Sequence, residues 1–219
     1  MITLLWDLDG TLIDSMPVIA RCLNRTAEHY GKDPWLESRL RSMIGPELGE
    51  LLAVVLDLHD PQDIADAKQC YRGFYQQEMF GSPLFDNIAS VLRHFQQVGV
   101  EQYVATAKYQ RYAQLIIESH QLGSLFAGVY GSDEDGRYGD KKELLTKIVQ
   151  DEQLVPAQTI MIGDTVYDIE AGRHLNMTTI AVAWGYGNRE GLKKAGAHYF
   201  VERPAQLMET VKAAMTCGC

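Results

Sequence analysis

The sequence lacks the cysteine and histidine patterns of disulfide-rich and zinc-binding proteins. Its 219 residues include four cysteines, all scattered or terminal: Cys22, Cys70, Cys217 and Cys219. The six histidines show no ligand spacing, which argues against a histidine-bound zinc. Cys217 and Cys219 could bind a metal or oxidise, but two ligands at a chain end make a poor site. We therefore expect reduced thiols and a cytoplasmic protein.

Long apolar runs and an excess of positive charge are lacking as well. The longest unbroken apolar run has six residues, Leu51 to Leu56, whereas a helix needs about 20 to cross a bilayer. No basic region precedes Asp7, so we expect no signal peptide. The net charge of −9, from 20 basic and 29 acidic residues, argues against nucleic-acid and anionic-membrane partners. Any anion site must therefore be built locally.

The hydrophobic pattern changes twice along the chain. Ile2–Trp6 predicts a buried strand that runs into an Asp-Leu-Asp-Gly-Thr turn. Residues 15–80 show helical spacing only, and Ser15 is expected to cap the first of these helices. After Gly81, strands alternate with helices, which predicts an α/β protein with a doubly wound parallel sheet. The predicted strands there are Val100–Ala105, Phe126–Tyr130, Thr159–Ile162 and Thr178–Trp184, and the predicted helices are Asp86–Val98, Tyr109–Gln121, Asp140–Gln150, Val166–Leu175 and Ala205–Ala214.

The helical stretch divides the chain into two predicted domains. Residues 1–14 and 82–219 would form the core, and residues 15–81 would form an inserted helical domain. The two connections, near Asp14–Pro17 and Phe80–Leu84, would lie close together and could act as a hinge. With 46% apolar and 22% charged residues, the composition is that of a globular protein, and the length suits a core domain with a smaller insertion.

Polar residues at the ends of the predicted strands mark a candidate site, because parallel sheets of this kind bind ligands at the carboxyl ends of their strands. Asp7 and Asp9 follow the first strand on the same side of an extended segment. Two such charges repel unless a cation lies between them, and a hard cation such as Mg²⁺ prefers oxygen ligands. The alternative is a simple turn, since Asp-Gly is common in turns.

A second acidic pair follows the fourth predicted strand. Asp164 and Asp168 are four residues apart, so they share one face at the start of the next helix. Asp164 could also be an ordinary helix cap. If both carboxylates meet Asp7 at the same sheet edge, a bound metal is the economical interpretation.

Two further residues are candidates for binding an anion. Lys141 stands in the first turn of the helix that Asp140 caps, where a cation is unfavourable unless an anion is present. Thr106, at a strand end, could donate its hydroxyl to a phosphate oxygen. The alternatives are a solvated lysine beside Lys142 and an ordinary β-branched strand residue.

These segments, in this order, resemble the four motifs of the haloacid dehalogenase superfamily: Asp7-Leu8-Asp9-Gly10-Thr11, Thr106, Lys141 and Gly163-Asp164-x-x-x-Asp168. The resemblance spans essentially the whole chain. It implies a Rossmann-like core, and the insertion looks like the helical cap of subclass I. Other segments look most like the phosphoglycolate phosphatase and 5′-nucleotidase-like branch: Ala105-Thr106-Ala107-Lys108, Gly131-Ser132 to Asp135-Gly136, Asp140-Lys141 and Trp184-Gly185-Tyr186-Gly187.

The resemblance implies a Mg²⁺-dependent phosphomonoesterase that acts on a small phosphorylated metabolite, most similar to phosphoglycolate phosphatase. Asp7 would be the nucleophile and form an aspartyl-phosphate, and Asp9 would be the general acid and then the base. Asp7, the backbone carbonyl of Asp9, and Asp164 would bind the metal, and Asp168 would bind it through water or support Lys141. The phosphoryl oxygens would be held by Thr106, Ala107 and Lys141.

Several alternatives stay open on the sequence alone. A 5′-nucleotidase, a broad-specificity sugar phosphatase and a phosphomutase would use the same catalytic residues. A dehalogenase lacks the acid at Asp9, and a phosphonate hydrolase needs a cap lysine for which Lys32 and Lys68 have no supporting context. A phospho-accepting signalling domain lacks the long insertion, and intact motifs argue against an inactive binding protein.

Substrate recognition by the insertion is a further hypothesis. Arg41 and Gly45 lie in a segment expected to face the site, and Arg41 would suit a substrate carboxylate. Two departures from the family pattern concern Lys142, where proline usually follows the lysine, and Tyr109, where proline often stands. Nothing in the sequence distinguishes a monomer from a homodimer.

Overall fold

A computed structural model describes residues 2–41 and 43–216 of the chain. The strands are β1 (Thr3–Trp6), β2 (Glu101–Tyr109), β3 (Gly128–Ser132), β4 (Thr159–Gly163), β5 (Thr178–Val182) and β6 (Tyr199–Val201). They pair in parallel in the order β3-β2-β1-β4-β5-β6. The helices are α1 (Met16–His29), α2 (Glu37–Arg41), α3 (Leu48–Leu56), α4 (Pro61–Glu78), α5 (Ile88–Gln97), α6 (Gln110–Ser119), α7 (Lys141–Asp151), α8 (Val166–His174), α9 (Arg189–Lys194) and α10 (Leu207–Thr216).

Helices cover both faces of this sheet. Alternate side chains of a strand point to opposite faces, so each strand contributes to the core on both sides. Leu4 and Trp6 of β1 belong to one core, which includes buried residues of α5, α6 and α10. Leu5 belongs to a second core, formed with α7 and α8 on the other face. The predicted α/β class with a doubly wound parallel sheet is confirmed. Asp7 continues the alternation of Leu5, toward the face that α7 and α8 cover.

The strand order reverses at β1, and this reversal brings three strand ends together. Trp6, the last residue of β1, is in register with Val104 of β2 and with Ile162 of β4. The backbone N–H of Asp7 continues the ladder and donates to the carbonyl of Ile162 at 2.9 Å. Ligands of open α/β sheets bind at such a switch point, outside the carboxyl ends of the strands.

Several element boundaries differ from the prediction. β6 was not predicted, because a strand of three residues at the sheet edge is too short to show alternation. β2 continues to Tyr109, where the prediction ended it at Ala105, since an irregularity shifts its register and lets Tyr109 pair with Ser132. β3 begins and ends two residues later than predicted, and β5 ends at Val182. The ends of the helices predicted after Gly81 differ by at most two residues, as helix ends commonly do, and α8 begins at Val166 as predicted.

The helical stretch after β1 contains α1 to α4, and its first helix is capped by a distant side chain. Ser15 precedes α1, but its hydroxyl makes no capping hydrogen bond, contrary to the prediction. Instead, the backbone N–H groups of Ser15 and Met16 donate to the Tyr186 hydroxyl oxygen at 2.8 and 2.9 Å. That hydroxyl donates in turn to Asp14 at 3.3 Å. One tyrosine therefore satisfies two buried donors at the start of the insertion.

Replacing this tyrosine tests how much the cap stabilises the fold. We expect Tyr186→Phe to lower the free energy of unfolding by about 1–3 kcal/mol, because two buried N–H groups lose their acceptor. Urea titration followed by circular dichroism measures the change. Tyr167→Phe, at a side chain that is exposed, is the matched control and should change stability by less than about 0.5 kcal/mol. Equal stability of the two variants would show that the Tyr186 hydroxyl is dispensable.

Two of the four cysteines lie within the described residues. Cys22 is a buried free thiol and Cys70 is a half-buried one, whereas Cys217 and Cys219 lie outside the described residues. Over residues 2–41 and 43–216, the helices are either too short or too polar to span a bilayer.

Candidate active site

Asp7 lies at the end of β1 and is almost fully buried. Its Oδ1 is 2.7 Å from the Nζ of Lys141, the first residue of α7. The same ammonium donates to the carbonyl of Ala105 at 2.8 Å and lies 2.9 Å from Oδ1 of Asp168. Burial would lower the pKa of Lys141, but Asp168 and Asp7 outweigh it and raise that pKa. Lys141 is therefore a buried cation held by two carboxylates, and not a solvated one.

A third carboxylate, that of Asp164, joins the two that hold this lysine. Oxygen atoms of Asp7, Asp164 and Asp168 lie within 4.8 Å of one another, and all three residues are buried. Asp164 accepts hydrogen bonds from the Thr11 hydroxyl at 2.9 Å and from the backbone N–H of Tyr186 at 2.7 Å. The Asp168 side chain accepts from the backbone and hydroxyl of Thr165, the capping residue of α8, which fixes its position. Asp164 itself lies one residue before this cap.

The charge balance of the cluster fits a divalent cation. Three carboxylates face one ammonium, so negative charge is left over in a buried site, where repulsion is weakly screened. Burial raises the pKa of Asp7 from 3.8 to about 7, with Lys141 opposing and Asp168 adding to the shift. Burial, Asp7 and Asp168 likewise raise the pKa of Asp164. An all-oxygen set of three carboxylates is the type of site that Mg²⁺ prefers, and Asp7, Asp164 and Asp168 are the residues that could hold it.

These pKa shifts predict how pH and metal act on stability. Between pH 4 and 7 the folded protein binds more protons at Asp7 than the unfolded chain, so the metal-free fold should lose stability as pH rises through this window. A divalent ion binds the ionised carboxylates, so its stabilising effect should be larger at pH 8 than at pH 5.5. Thermal unfolding in EDTA and in Mg²⁺ at both pH values measures these effects.

Asp7→Asn is the matched control for this pH dependence, because it removes one titrating group and keeps the side-chain shape. The difference in melting temperature between wild type and Asp7→Asn in EDTA should change between pH 5.5 and pH 8, in favour of the variant. A difference that stays constant across this range would contradict the raised pKa of Asp7.

The side chain of Asp9 lies apart from the three-carboxylate cluster. The backbone turns after Leu8, whose carbonyl accepts the N–H groups of Thr11, Leu12 and Ile13. Asp9 Oδ2 is 2.9 Å from the Nζ of Lys108, and Asp9 Oδ1 is buried without a hydrogen-bond partner. The alternation of the extended segment predicted the Asp9 carboxylate beside that of Asp7, whereas the structure directs the Asp9 side chain to Lys108.

Gly10 makes this turn possible. Its φ of +83° is unfavourable for residues with a side chain, and an added Cβ would lie 2.4 Å from Oδ2 of Asp164. Glycine therefore lets the turn after Asp9 approach the acidic cluster closely.

Lys108 connects Asp9 to the helical insertion. Besides its ion pair with Asp9, its ammonium donates to the hydroxyl of Tyr75, on α4, at 2.8 Å, and lies 4.5 Å from the centre of that ring. Burial would lower the pKa of Lys108, but Asp9 and nearby tyrosines raise it. The sequence placed Lys108 in a segment that carries the family resemblance but gave it no role. It did not indicate Tyr75, since only the fold brings α4 against the end of β2.

One cavity of about 110 Å³ contains the candidate catalytic groups. Its core side includes Asp7, Asp9, Asp168 and the three predicted phosphate-binding residues, Thr106, Ala107 and Lys141. Further core residues, to which the sequence assigned no role in the site, are Lys108, Tyr109, Tyr112, Ser132 and Thr165. The insertion contributes Ile19, Ile44, Gly45, Pro46, Glu47, Leu48, Leu51, Tyr71, Arg72 and Tyr75. Asp164 lies behind this wall and is fully buried.

The two residues proposed for substrate recognition, Gly45 and Arg41, line different cavities. Gly45 lines the cavity, and its φ of +133° lets the backbone pass close to the ring of Tyr167. Arg41 lines a neighbouring cavity instead, where its side chain is 40% exposed and lies 3.7 Å from Glu37. Arg41 therefore does not share a wall with Asp7.

The chain is similar to known proteins over most of its length. The sequence model of a family described as "haloacid dehalogenase-like hydrolase" matches residues 4–182. Phosphoglycolate phosphatase from Vibrio vulnificus is 25% identical over 215 residues, which cover 94% of each chain. Tyrosine-protein kinase PtkA from Mycobacterium tuberculosis is 29% identical over 192 residues, which cover 87% of this chain and 65% of that protein. A solved structure described as a "predicted phosphatase from Clostridium acetobutylicum" is 27% identical, with a TM-score of 0.92 over 97% of this chain and 99% of that one.

Proposed function

The chain belongs to the haloacid dehalogenase-like hydrolase family and is a phosphoric monoester hydrolase. From this premise we propose that it cleaves small phosphate esters through an aspartyl-phosphate on Asp7, with Mg²⁺ bound at the acidic cluster. The family match confirms the resemblance seen in the motifs. The observation that carries the proposal is that Asp7 shares one buried site with Lys141, Asp164 and Asp168.

In the first half of the reaction, a carboxylate oxygen of Asp7 attacks phosphorus in line with the ester bond. The new bond joins Asp7 Oδ to phosphorus, and the bond from phosphorus to the ester oxygen breaks. Asp9 gives its proton to the departing alkoxide. Lys141 and the Thr106 hydroxyl neutralise and orient the phosphoryl oxygens, which is the main requirement of phosphoryl transfer. When bound, Mg²⁺ supplies further positive charge at these oxygens.

In the second half, Asp9 acts as the base. Its carboxylate takes a proton from a water molecule, the water oxygen attacks phosphorus, and the bond to Asp7 breaks to release inorganic phosphate. Lys108 is 2.9 Å from Asp9 and 2.8 Å from the Tyr75 hydroxyl, so it holds the carboxylate in position at the cavity wall. The proton that Asp9 takes from water is the one that it gives to the departing alkoxide of the next ester.

Residues 15–81 act as a cap in this proposal. Side chains from α1, α3 and α4 line the cavity opposite the end of β1, so they contact the leaving group. The segments Asp14–Pro17 and Phe80–Leu84 are the proposed hinge, and the Tyr186 hydroxyl ties the first of them to the loop that holds Asp164. Phosphoglycolate is the favoured substrate, supported by the name of the Vibrio relative.

A protein substrate is a second candidate, which the name of the mycobacterial relative raises. The cavity disfavours it, because Asp7 is 7% exposed and residues of the insertion line the space in front of it. A phosphotyrosine on a folded protein surface would have to pass these side chains. Small esters need no such rearrangement.

A screen of phosphate esters with and without Mg²⁺ tests the proposed function. The panel should include phosphoglycolate, nucleoside monophosphates, sugar phosphates, pyrophosphate and a phosphotyrosine peptide, with release of inorganic phosphate as the readout. We expect Mg²⁺-dependent, repeated turnover of a small ester, with the peptide the poorest substrate. Incorporation of a single phosphate without turnover would indicate a phospho-accepting domain, and absence of phosphate release from every ester would refute the proposal.

A further inference from the structure

Three cations line the cavity among the described residues, and they differ in how their charge is balanced. Lys141 pairs with Asp7 and Asp168, and Lys108 pairs with Asp9. Arg72, on α4, is the third. Its Nη2 donates to the backbone carbonyl of Glu134 at 2.7 Å, and the ion pairs formed within residues 2–41 and 43–216 include none with Arg72.

Part of the Arg72 guanidinium is buried without a partner. Its Nε is inaccessible to solvent and makes no hydrogen bond, although the side chain as a whole is half-buried. The ring of Tyr109 lies 5.0 Å from the guanidinium carbon, which holds the group but does not satisfy the Nε proton. A buried donor without a partner is unfavourable, and more so when it is charged. The positive charge of Arg72 has no carboxylate partner among the described residues, and an anion bound in the cavity that Arg72 lines would balance this charge.

The carboxylate that the insertion contributes to the cavity does not balance the charge of Arg72, so an anion could bind beside Arg72. Glu47, the carboxylate that the insertion contributes to the cavity, is 2.9 Å from Lys68 Nζ and accepts the N–H of Gly49, so its charge is balanced. Arg72 comes from the insertion, whereas Asp7 follows β1 in the core. The two ends of one small ester would therefore contact the insertion and the core separately.

We propose that Arg72 binds a carboxylate on the leaving group, so that the preferred substrates are phosphate esters of small hydroxy acids. This inference rests on the proposed function and assigns a specificity-determining residue for it. A guanidinium matches a carboxylate in charge and in planar shape. A second phosphate group carries about two negative charges, more than one guanidinium balances. Arg72 takes the role that the sequence suggested for Arg41, which lines the neighbouring cavity.

The test compares two esters of similar size in wild type and in Arg72→Gln. Phosphoglycolate carries the carboxylate and ethyl phosphate does not. We expect Arg72→Gln to lower kcat/KM for phosphoglycolate by about 30-fold or more, mainly through KM, since a buried charge partner is lost. For ethyl phosphate the change should stay within about 3-fold. Arg93→Gln, the same substitution at an exposed residue of α5, is the control and should leave both esters unchanged.

A charge reversal adds an outcome that general damage to the fold cannot produce. Arg72→Glu should lower the activity on phosphoglycolate further and raise the activity on O-phosphoethanolamine, whose leaving group is cationic, relative to ethyl phosphate. Circular dichroism checks the fold of each variant. Arg72→Lys keeps the charge but not the planar fork, so its selectivity for phosphoglycolate over ethyl phosphate should be intermediate.

The failure of this inference can be told from failure of the proposed function. If wild type hydrolyses ethyl phosphate and phosphoglycolate but Arg72→Gln lowers both equally, Arg72 is only structural and the phosphatase function stands. If pyrophosphate is the substrate that Arg72→Gln selectively loses, the anion is a second phosphate and the carboxylate assignment is wrong. If wild type hydrolyses no ester, the proposed function itself fails and the assignment fails with it.

Discussion

Replacing Asp7 with asparagine should lower phosphatase turnover by about 10⁴-fold or more, the scale of loss seen when a catalytic nucleophile is removed. The amide oxygen cannot attack phosphorus, and the site loses both a proposed metal ligand and the partner of Lys141. The fold should remain, because asparagine keeps the shape of the side chain and relieves repulsion among three carboxylates. Steady-state phosphate release and circular dichroism measure the two effects.

Asp57→Asn is a suitable control for this variant. Asp57 is an exposed residue of the insertion with a φ of +57°, a conformation that asparagine adopts readily. Its turnover should equal that of wild type. In addition, acid-quenched wild-type enzyme should carry phosphate on the peptide that contains Asp7, and Asp7→Asn should not. Turnover of Asp7→Asn within 10-fold of wild type would exclude Asp7 as the nucleophile.

Asp9→Asn should lower kcat for alkyl phosphates by about 10²–10⁴-fold, the usual contribution of a general acid or base. The loss should depend on the leaving group. An alkoxide needs the proton that Asp9 supplies in the proposed mechanism, whereas p-nitrophenolate leaves without one. The first half of the reaction should therefore survive in Asp9→Asn with p-nitrophenyl phosphate, while the second half, which needs Asp9 as base, should not.

Rapid-quench kinetics separate the two halves. With p-nitrophenyl phosphate, Asp9→Asn should release about one equivalent of p-nitrophenol in a burst and then turn over slowly, as the aspartyl-phosphate accumulates. Asp57→Asn should behave as wild type in the same experiment. Equal losses for alkyl and nitrophenyl esters, with no burst, would mean that Asp9 does not transfer protons in this reaction.

The acidic cluster could be anticipated because its members stand at strand ends that a parallel sheet must bring together. Asp7 follows β1 and Asp164 follows β4, and these strands are neighbours at the switch point. Asp168 was placed by helix periodicity, and its position as third residue of α8 adds the capping contact with Thr165. Local sequence therefore determines this part of the site once the sheet topology is known.

Other parts of the site depend on contacts between residues far apart in the chain. The two-residue alternation put Asp9 beside Asp7, but the turn at Gly10 ends the extended conformation and Lys108 draws the side chain away. Ser15 was expected to cap α1, but Tyr186, 171 residues away, does so. Arg72 follows no motif, and only the packing of α4 brings it to the cavity.

Titrating metal-free protein with Mg²⁺ in a calorimeter, with phosphatase activity followed on the same sample, tests most directly whether the three buried carboxylates share one cation. We expect one Mg²⁺ per chain at pH 8, no turnover in EDTA, recovery of turnover as that site fills, and loss of the binding isotherm in Asp164→Asn. Full activity in EDTA, or a binding isotherm that Asp164→Asn leaves unchanged, would contradict a metal site shared by these carboxylates.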